Sequence, residues 1–150
     1  MTQEEKELLL KDLEARLSYG VKCTTKSTWN GIYTIVGYKD NRFFLDCPIY
    51  DKGDDEWMIE SIVPYLRPMS SMTEEEWKEL NCIGYIVPLY DGCFGVDIRA
   101  YCKNGQPHYR RFSEFSTIED WLNAHYFDYH GLIPKGLAIA VTEENNPYKE

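Results

Sequence analysis

The sequence predicts an α+β fold: a single domain in which antiparallel β-hairpins and meanders pack with about three helices. Three observations carry that expectation. Helix starts marked by capping boxes recur at wide intervals, and β-rich runs come in pairs joined by tight turns. Strands and helices are also interspersed without the regular βαβ alternation that builds a parallel sheet. At 150 residues the chain has the length of one ordinary domain, able to bury roughly 70% of its unfolded surface. No linker, low-complexity tract or internal repeat divides it.

The elements follow in order. An N-terminal helix is expected over about 3–18, because Thr2 and Glu5 have capping-box spacing and Leu9, Leu10, Leu13 and Leu17 recur at helical intervals. Gly20 ends it. A β region is expected over about 21–47. There "VKCTTKSTWNGIYTIVGY" holds two β-rich runs around Asn30-Gly31, a pair that tolerates the positive φ angles of a tight turn. "RFFLDC" follows the polar turn Lys39-Asp40-Asn41 and completes a meander. The acidic loop "YDKGDDEW" lacks the order of a calcium loop, with Gly53 third after Asp51 and no glutamate in twelfth place, and reads as a solvated turn.

"IESIVPYLRP" reads as an apolar turn or short helix closed by Pro64 and Pro68. A helix is expected over about 74–82, where Thr73 and Glu76 repeat the capping box and Met72 and Trp77 stand at staple positions. Glu74, Glu75 and Glu76 complement the positive end of its dipole. A second β region is expected over about 84–112, in the runs "YIVPLY", "CFGVDIRAYC" and "PHYRRF". The last helix is expected over about 117–130, opened by Ser116 and Glu119, and the tail over 142–150 is expected to fray.

Composition narrows the function classes. A net charge of −9 opposes broad, backbone-driven nucleic-acid binding, which needs a positive field to displace counterions. The acidic N-terminus lacks the basic start of a secretion signal, and no apolar run approaches the roughly 20 residues that span a bilayer. The expectation is a cytoplasmic protein with no membrane association. Five cysteines, an odd number without a C-x-x-C pair, read as reduced thiols and not as zinc ligands. Twelve tyrosines exceed what a core of this size needs, and fit either a Tyr-rich sheet face or an interface.

Little in the chain resembles chemistry. "WLNAHYFDYH" places His125, Asp128 and His130 close together. On a helix from Ser116, His125 shares a face with Ile118, Trp121, Leu122 and Tyr129, and Asp128 could join it at a metal. His130 falls roughly 140° further round, in the last turn before Gly131, where a cation complements the dipole. Packing is therefore the preferred reading, with His125 and Asp128 kept as weak metal candidates. No cysteine or histidine sits in a nucleophile context, and neither a phosphate-binding nor a dinucleotide-binding glycine loop occurs. The sequence asks for no cofactor and predicts no enzyme.

The more informative stretch is "RAYCKNGQPHYRRF". With a turn at Asn104-Gly105, strand alternation puts Arg99, Tyr101, Lys103, His108 and Arg110 on one face, with Gln106. Guanidinium forks, an ammonium and stackable rings suit a phosphate, a nucleotide or an acidic partner. The competing reading is an amphipathic hairpin whose wet side happens to be basic.

Three segments, "LLLKDLEARLSYGV", "IESIVPYLRPMSSMTEEE" and "DWLNAHYFDYHGLIPKGLA", resemble a family of short uncharacterised proteins of gut Bacteroidetes and their phages and mobile elements. The β segments at about 23–56 and 84–112 do not share the likeness. The resemblance transfers no catalytic residues. It implies a bacterial host cytosol and carriage by a phage or mobile element. The resulting expectation is a non-enzymatic accessory protein that binds a host or phage protein through an aromatic and basic β surface. The alternative is a small-ligand binder that sequesters an anionic metabolite or nucleotide. A metal- or His-dependent hydrolase is the third.

Overall fold

The computed structural model describes residues 1–26, 31–46, 55–80, 86–88, 94–96 and 118–149. The architecture is α+β, as the interspersed hairpins predict. The contacts divide into two compact units, residues 1–71 with 123–150, and residues 72–122.

Helix α1 spans Gln3–Arg16 and opens on the expected capping box: the Glu5 N–H donates to Thr2 Oγ1 at 3.1 Å, and the Thr2 N–H donates to Glu5 Oε2 at 2.7 Å. That bond to main chain holds the exposed Glu5 carboxyl below its ordinary range. A 3-10 turn over Leu17–Tyr19 follows, and Gly20 stops it in the left-handed region, φ 67°. The inner face of α1 buries Leu9 and Leu13, each worth about 1.5–3 kcal/mol, and, unexpectedly, Asp12 and Arg16.

That face covers a six-stranded sheet made of β1 (Lys22–Thr25), β2 (Tyr33–Lys39), β3 (Arg42–Asp46), β4 (Asp55–Met58), β5 (Ile62–Leu66) and β8 (Ile139–Ala140). The strand order is β4-β3-β2-β1-β5-β8. All neighbours are antiparallel except β5 and β8, which run parallel. The β1–β2–β3 meander lies where the sequence places it. Asp40 and Asn41, at φ 52° and 63°, form the β2–β3 turn in the two successive left-handed conformations of a type I′ hairpin. Val21, Cys23, Tyr33, Ile35, Phe43, Leu45, Ile62 and Leu66 point inward to the core.

Four expectations are corrected. "IVPYL" is strand β5 in the sheet interior, not a turn or short helix, with Ile62, Pro64 and Leu66 buried and Val63 and Tyr65 half-buried. Its proline is tolerated because of the register. The Lys26 N–H donates to the Ser61 carbonyl, so Cys23 and Pro64 face each other at a non-hydrogen-bonded pair. The missing N–H then points away from β1, toward a flank where β8 pairs only from Tyr65 onward. In the acidic loop, Asp55, Glu56 and Trp57 belong to strand β4, while 50–54 lie outside the described residues.

The last helix, α3, spans only Ile118–Ala124, and does not reach 130. Tyr126 turns left-handed at φ 62°, and its carbonyl accepts the Arg67 N–H at 2.7 Å. The Asp128 N–H returns to the Arg67 carbonyl at 2.8 Å, so Phe127 runs alongside the end of β5 as a parallel bridge. Long-range main-chain pairing overrides the helical periodicity.

The tail is docked, not frayed. Thr142 and Asn145 close a turn through three mutual hydrogen bonds. The Tyr148 hydroxyl donates to the Tyr65 carbonyl at 2.8 Å and accepts the Lys22 N–H at 3.0 Å. It bridges β5 and β1 at the next hydrogen-bonding position of their ladder.

In residues 72–122, helix α2 (Glu74–Leu80) has the expected Thr73–Glu76 capping box. Strands β6 (Ile86–Pro88) and β7 (Phe94–Val96) pair antiparallel.

Candidate functional site

The basic hairpin face, Arg99, Tyr101, Lys103, His108 and Arg110, lies outside the described residues. The other two candidates are described, and they part company. Asp128 accepts the N–H groups of Leu132 and Ile133 at 2.7 and 2.9 Å, which fixes the turn that follows it. Both of its oxygens are committed to main chain. His125 lies just past the end of α3 and lines a cavity instead. Among the described residues, no group of three or more His, Cys, Asp or Glu side chains is placed to hold a metal ion.

His130 has a partner that the sequence did not suggest. Its Nδ1 lies 2.8 Å from Asp12 Oδ1 on α1. The same carboxylate receives Arg16 Nε at 2.7 Å and Nη2 at 2.8 Å, a bidentate fork at i, i+4. Arg16 Nη2 also donates to the Phe127 carbonyl at 2.7 Å, and its guanidinium lies 5.4 Å from the centre of the Tyr129 ring. Asp12 and Arg16 have no solvent exposure, whereas the His130 side chain retains 18%. This cluster ties α1 to the segment after α3. A signal for it existed: Leu9, Asp12, Leu13 and Arg16 share one face at helical spacing, so the ion pair had to enter the core beside the leucines.

The cavity measures about 310 Å³ and is lined by Arg67, Ala124, His125, Tyr126, Asn146 and Tyr148. The Tyr126 and Tyr148 rings stack at 3.8 Å, with planes 10° apart. The Tyr126 hydroxyl donates to the Tyr19 carbonyl at 2.6 Å. Burial pushes both phenols above their ordinary range, most strongly Tyr148. Arg67 lies over the Phe127 ring, 4.1 Å from its centre.

A second cavity of about 280 Å³ lies beside α1 and is lined by polar Gln3, Lys6, Glu7 and Asn41 with apolar Leu10 and Met58 among others. Lys6 pairs there with Glu60, and that hydrogen bond holds the Glu60 carboxyl below its ordinary range.

The outer face of the six-stranded sheet is the third feature. Strand alternation directs Thr34, Lys39, Arg42, Phe44, Glu56, Val63 and Tyr65 outward, opposite the core positions. The register shift between Ile35 and Gly37 adds Val36 to that face, 47% exposed, and Met58 beside Arg42 is 45% exposed. Lys22 stands on the same side, its Nζ 2.6 Å from Thr34 Oγ1.

Cys23 is buried with a free thiol, and desolvation pushes it up to about 12. Cys47, Cys82, Cys93 and Cys102 lie outside the described residues. No helix among the described residues is long and apolar enough to cross a membrane. Comparison of the chain with protein-family models, curated proteins and solved structures finds no match.

Proposed function

We propose that the protein is a non-catalytic accessory protein that holds an acidic protein partner on the outer face of its six-stranded sheet. One observation carries the reading. Val36 and Met58 stand exposed on that face among half-buried Phe44, Val63 and Tyr65, and cationic Lys22, Lys39 and Arg42 are interleaved with them. Apolar anchors ringed by charge are the usual anatomy of an interface. Arg42 is paired on this face with Glu56, and Asp46 stands opposite Thr34, so Lys22 and Lys39 are the cations that favour a partner of opposite sign. The sequence leads us to expect an aromatic and basic β surface at Arg99, Tyr101, Lys103, His108 and Arg110, which lie outside the described residues; we assign such a surface to the six-stranded sheet instead. A host or phage protein in a bacterial cytosol is the intended partner, and that setting rests on the sequence resemblance.

The test is affinity capture with three folded baits: wild type, Val36→Asp/Met58→Asp, and Lys39→Glu/Arg42→Glu. A partner retained by wild type, lost by both variants and weakened by salt supports the reading. A partner retained by both sheet variants but lost by Arg99→Glu/Arg110→Glu would move the binding face to the hairpin.

A further inference from the structure

We propose that the cavity between α1, the β2–β3 turn and the end of β4 binds a small organic cation, a primary ammonium carried on an apolar body. It shares only Met58 with the sheet face described above, and neither proposal depends on the other.

The first argument is how the lining is divided. Leu10, Tyr38 and Ile59 pack against the core, and Met58 stands partly exposed among them, so the cavity has an apolar base. Its polar groups come from three separate stretches: Gln3, Lys6 and Glu7 on α1, Asn41 in the hairpin turn, and Glu60 after β4. Helical spacing puts Gln3, Lys6, Glu7 and Leu10 on one flank of α1, at i, i+3, i+4 and i+7. A volume of about 280 Å³ lies at the small end of ligand pockets, room for one ring or a short alkyl chain with a charged head.

The second argument is charge. Two carboxylates line the cavity, Glu7 and Glu60. Lys6 answers Glu60 at Oε1, while the other Glu60 oxygen is covered and has no hydrogen-bond partner among the described residues. Glu7 Oε1 accepts the Gln3 amide at 3.0 Å, a neutral donor, and Glu7 is paired with no cation among the described residues. An ammonium has three N–H donors and no acceptor, so it meets a carboxylate directly while its organic body covers the apolar base. Glu4 and Glu5 in the first turn offset the positive end of the α1 dipole, which would otherwise repel a cation.

The third argument is preorganisation. The Tyr38 hydroxyl donates to Asn41 Oδ1 at 3.1 Å, and Asn41 is held in the hairpin turn at φ 63°. The Thr2–Glu5 capping box fixes the turn of α1 from which Gln3, Lys6 and Glu7 project. The wall is set before a ligand arrives, which lowers the ordering cost of binding.

The experiment is an NMR titration of the full chain, reading the Gln3 and Asn41 side-chain amides and the Met58 methyl. Phenethylammonium, methylammonium and 3-phenylpropionate are the probes, and they separate the charged head from the apolar body. Saturable shifts at these residues are expected with phenethylammonium, at least about tenfold weaker with methylammonium and absent with 3-phenylpropionate. Glu7→Gln keeps the acceptor for the Gln3 amide but removes the charge, and should weaken phenethylammonium about threefold or more with unchanged Tm. Lys6→Gln removes the competing ammonium and should tighten it about twofold or more, whereas selection by apolar contact alone would move neither variant. Absence of saturation below about 10 mM, an equal response to 3-phenylpropionate, wild-type affinity in Glu7→Gln, or binding no tighter in Lys6→Gln overturns the proposal. Methylammonium binding as tightly as phenethylammonium overturns the assignment to an organic cation.

Discussion

Replacing Asp12 by alanine should be among the most damaging single changes in the described protein. The carboxylate accepts both forks of Arg16 and the ring N–H of His130, at 2.7 to 2.8 Å, and is wholly shielded from water. Truncation leaves the Arg16 guanidinium buried with the Phe127 carbonyl as its one remaining hydrogen-bond acceptor among the described residues. Arg16 Nη1 already has no hydrogen-bond partner among the described residues. Breaking one side of a buried ion pair costs about 3–5 kcal/mol, because the surviving charge keeps its desolvation penalty. In a chain of this length each kcal/mol lowers Tm by about 2–4 °C, so the expected drop is about 10 °C or more. Urea unfolding monitored by far-UV circular dichroism measures it, with an unchanged slope guarding against a change in the unfolded state. The double substitution Asp12→Leu/Arg16→Met fills the same space without charge and should recover most of the loss. A loss below about 1 kcal/mol in Asp12→Ala is what a solvated surface pair gives, and it would refute the account of a sealed cluster.

Four further outcomes are expected. Tyr148→Phe leaves the Tyr65 carbonyl and the Lys22 N–H without their bridging hydroxyl, and should cost about 1–3 kcal/mol in the same urea assay. Asp128→Ala frees the N–H groups of Leu132 and Ile133 and should lower Tm equally with and without a chelator; a chelator-dependent loss would restore a metal role. Cys23 should escape alkylation in the native state at pH 8, as read by peptide mass mapping, and become labelled in urea. Because its folded pKa is raised to about 12, the unfolded thiol ionises first, so its contribution to stability is present at neutral pH and is lost as pH rises from about 9 toward 12. Cys23→Ala should flatten that part of the profile.

The parts of the fold that were legible in the sequence are those fixed by neighbours in the chain. Both capping boxes, the Gly20 stop and the Asp40-Asn41 turn are decided within four or five residues, and each forms as read. The misread parts are decided at long range. Pro64 and Pro68 resemble breakers until β1 supplies a register in which the Pro64 N–H is not needed. The periodicity from Ile118 to Tyr129 resembles one helix until Arg67 captures the main chain on either side of Phe127. Of the candidate site residues, His125 lines a cavity. Its cavity is shared with Arg67, Asn146 and Tyr148, which are remote in sequence, while Asp128 turned out to be occupied by main chain.

The parallel pairing of β8 with β5 has a consequence for how the chain is made. Its two residues meet Tyr65 and Leu66 only after all of 72–122 has been synthesised. Until then the flank of β5 that β8 will occupy has no partner from that strand, and a bare strand flank invites pairing with other chains. Pro64 and Pro68 bracket this flank, and proline offers no N–H to an intruding strand. The prolines that obscure β5 in the sequence would thus act as gatekeepers on the nascent chain, guarding an open flank while the last strand is still awaited.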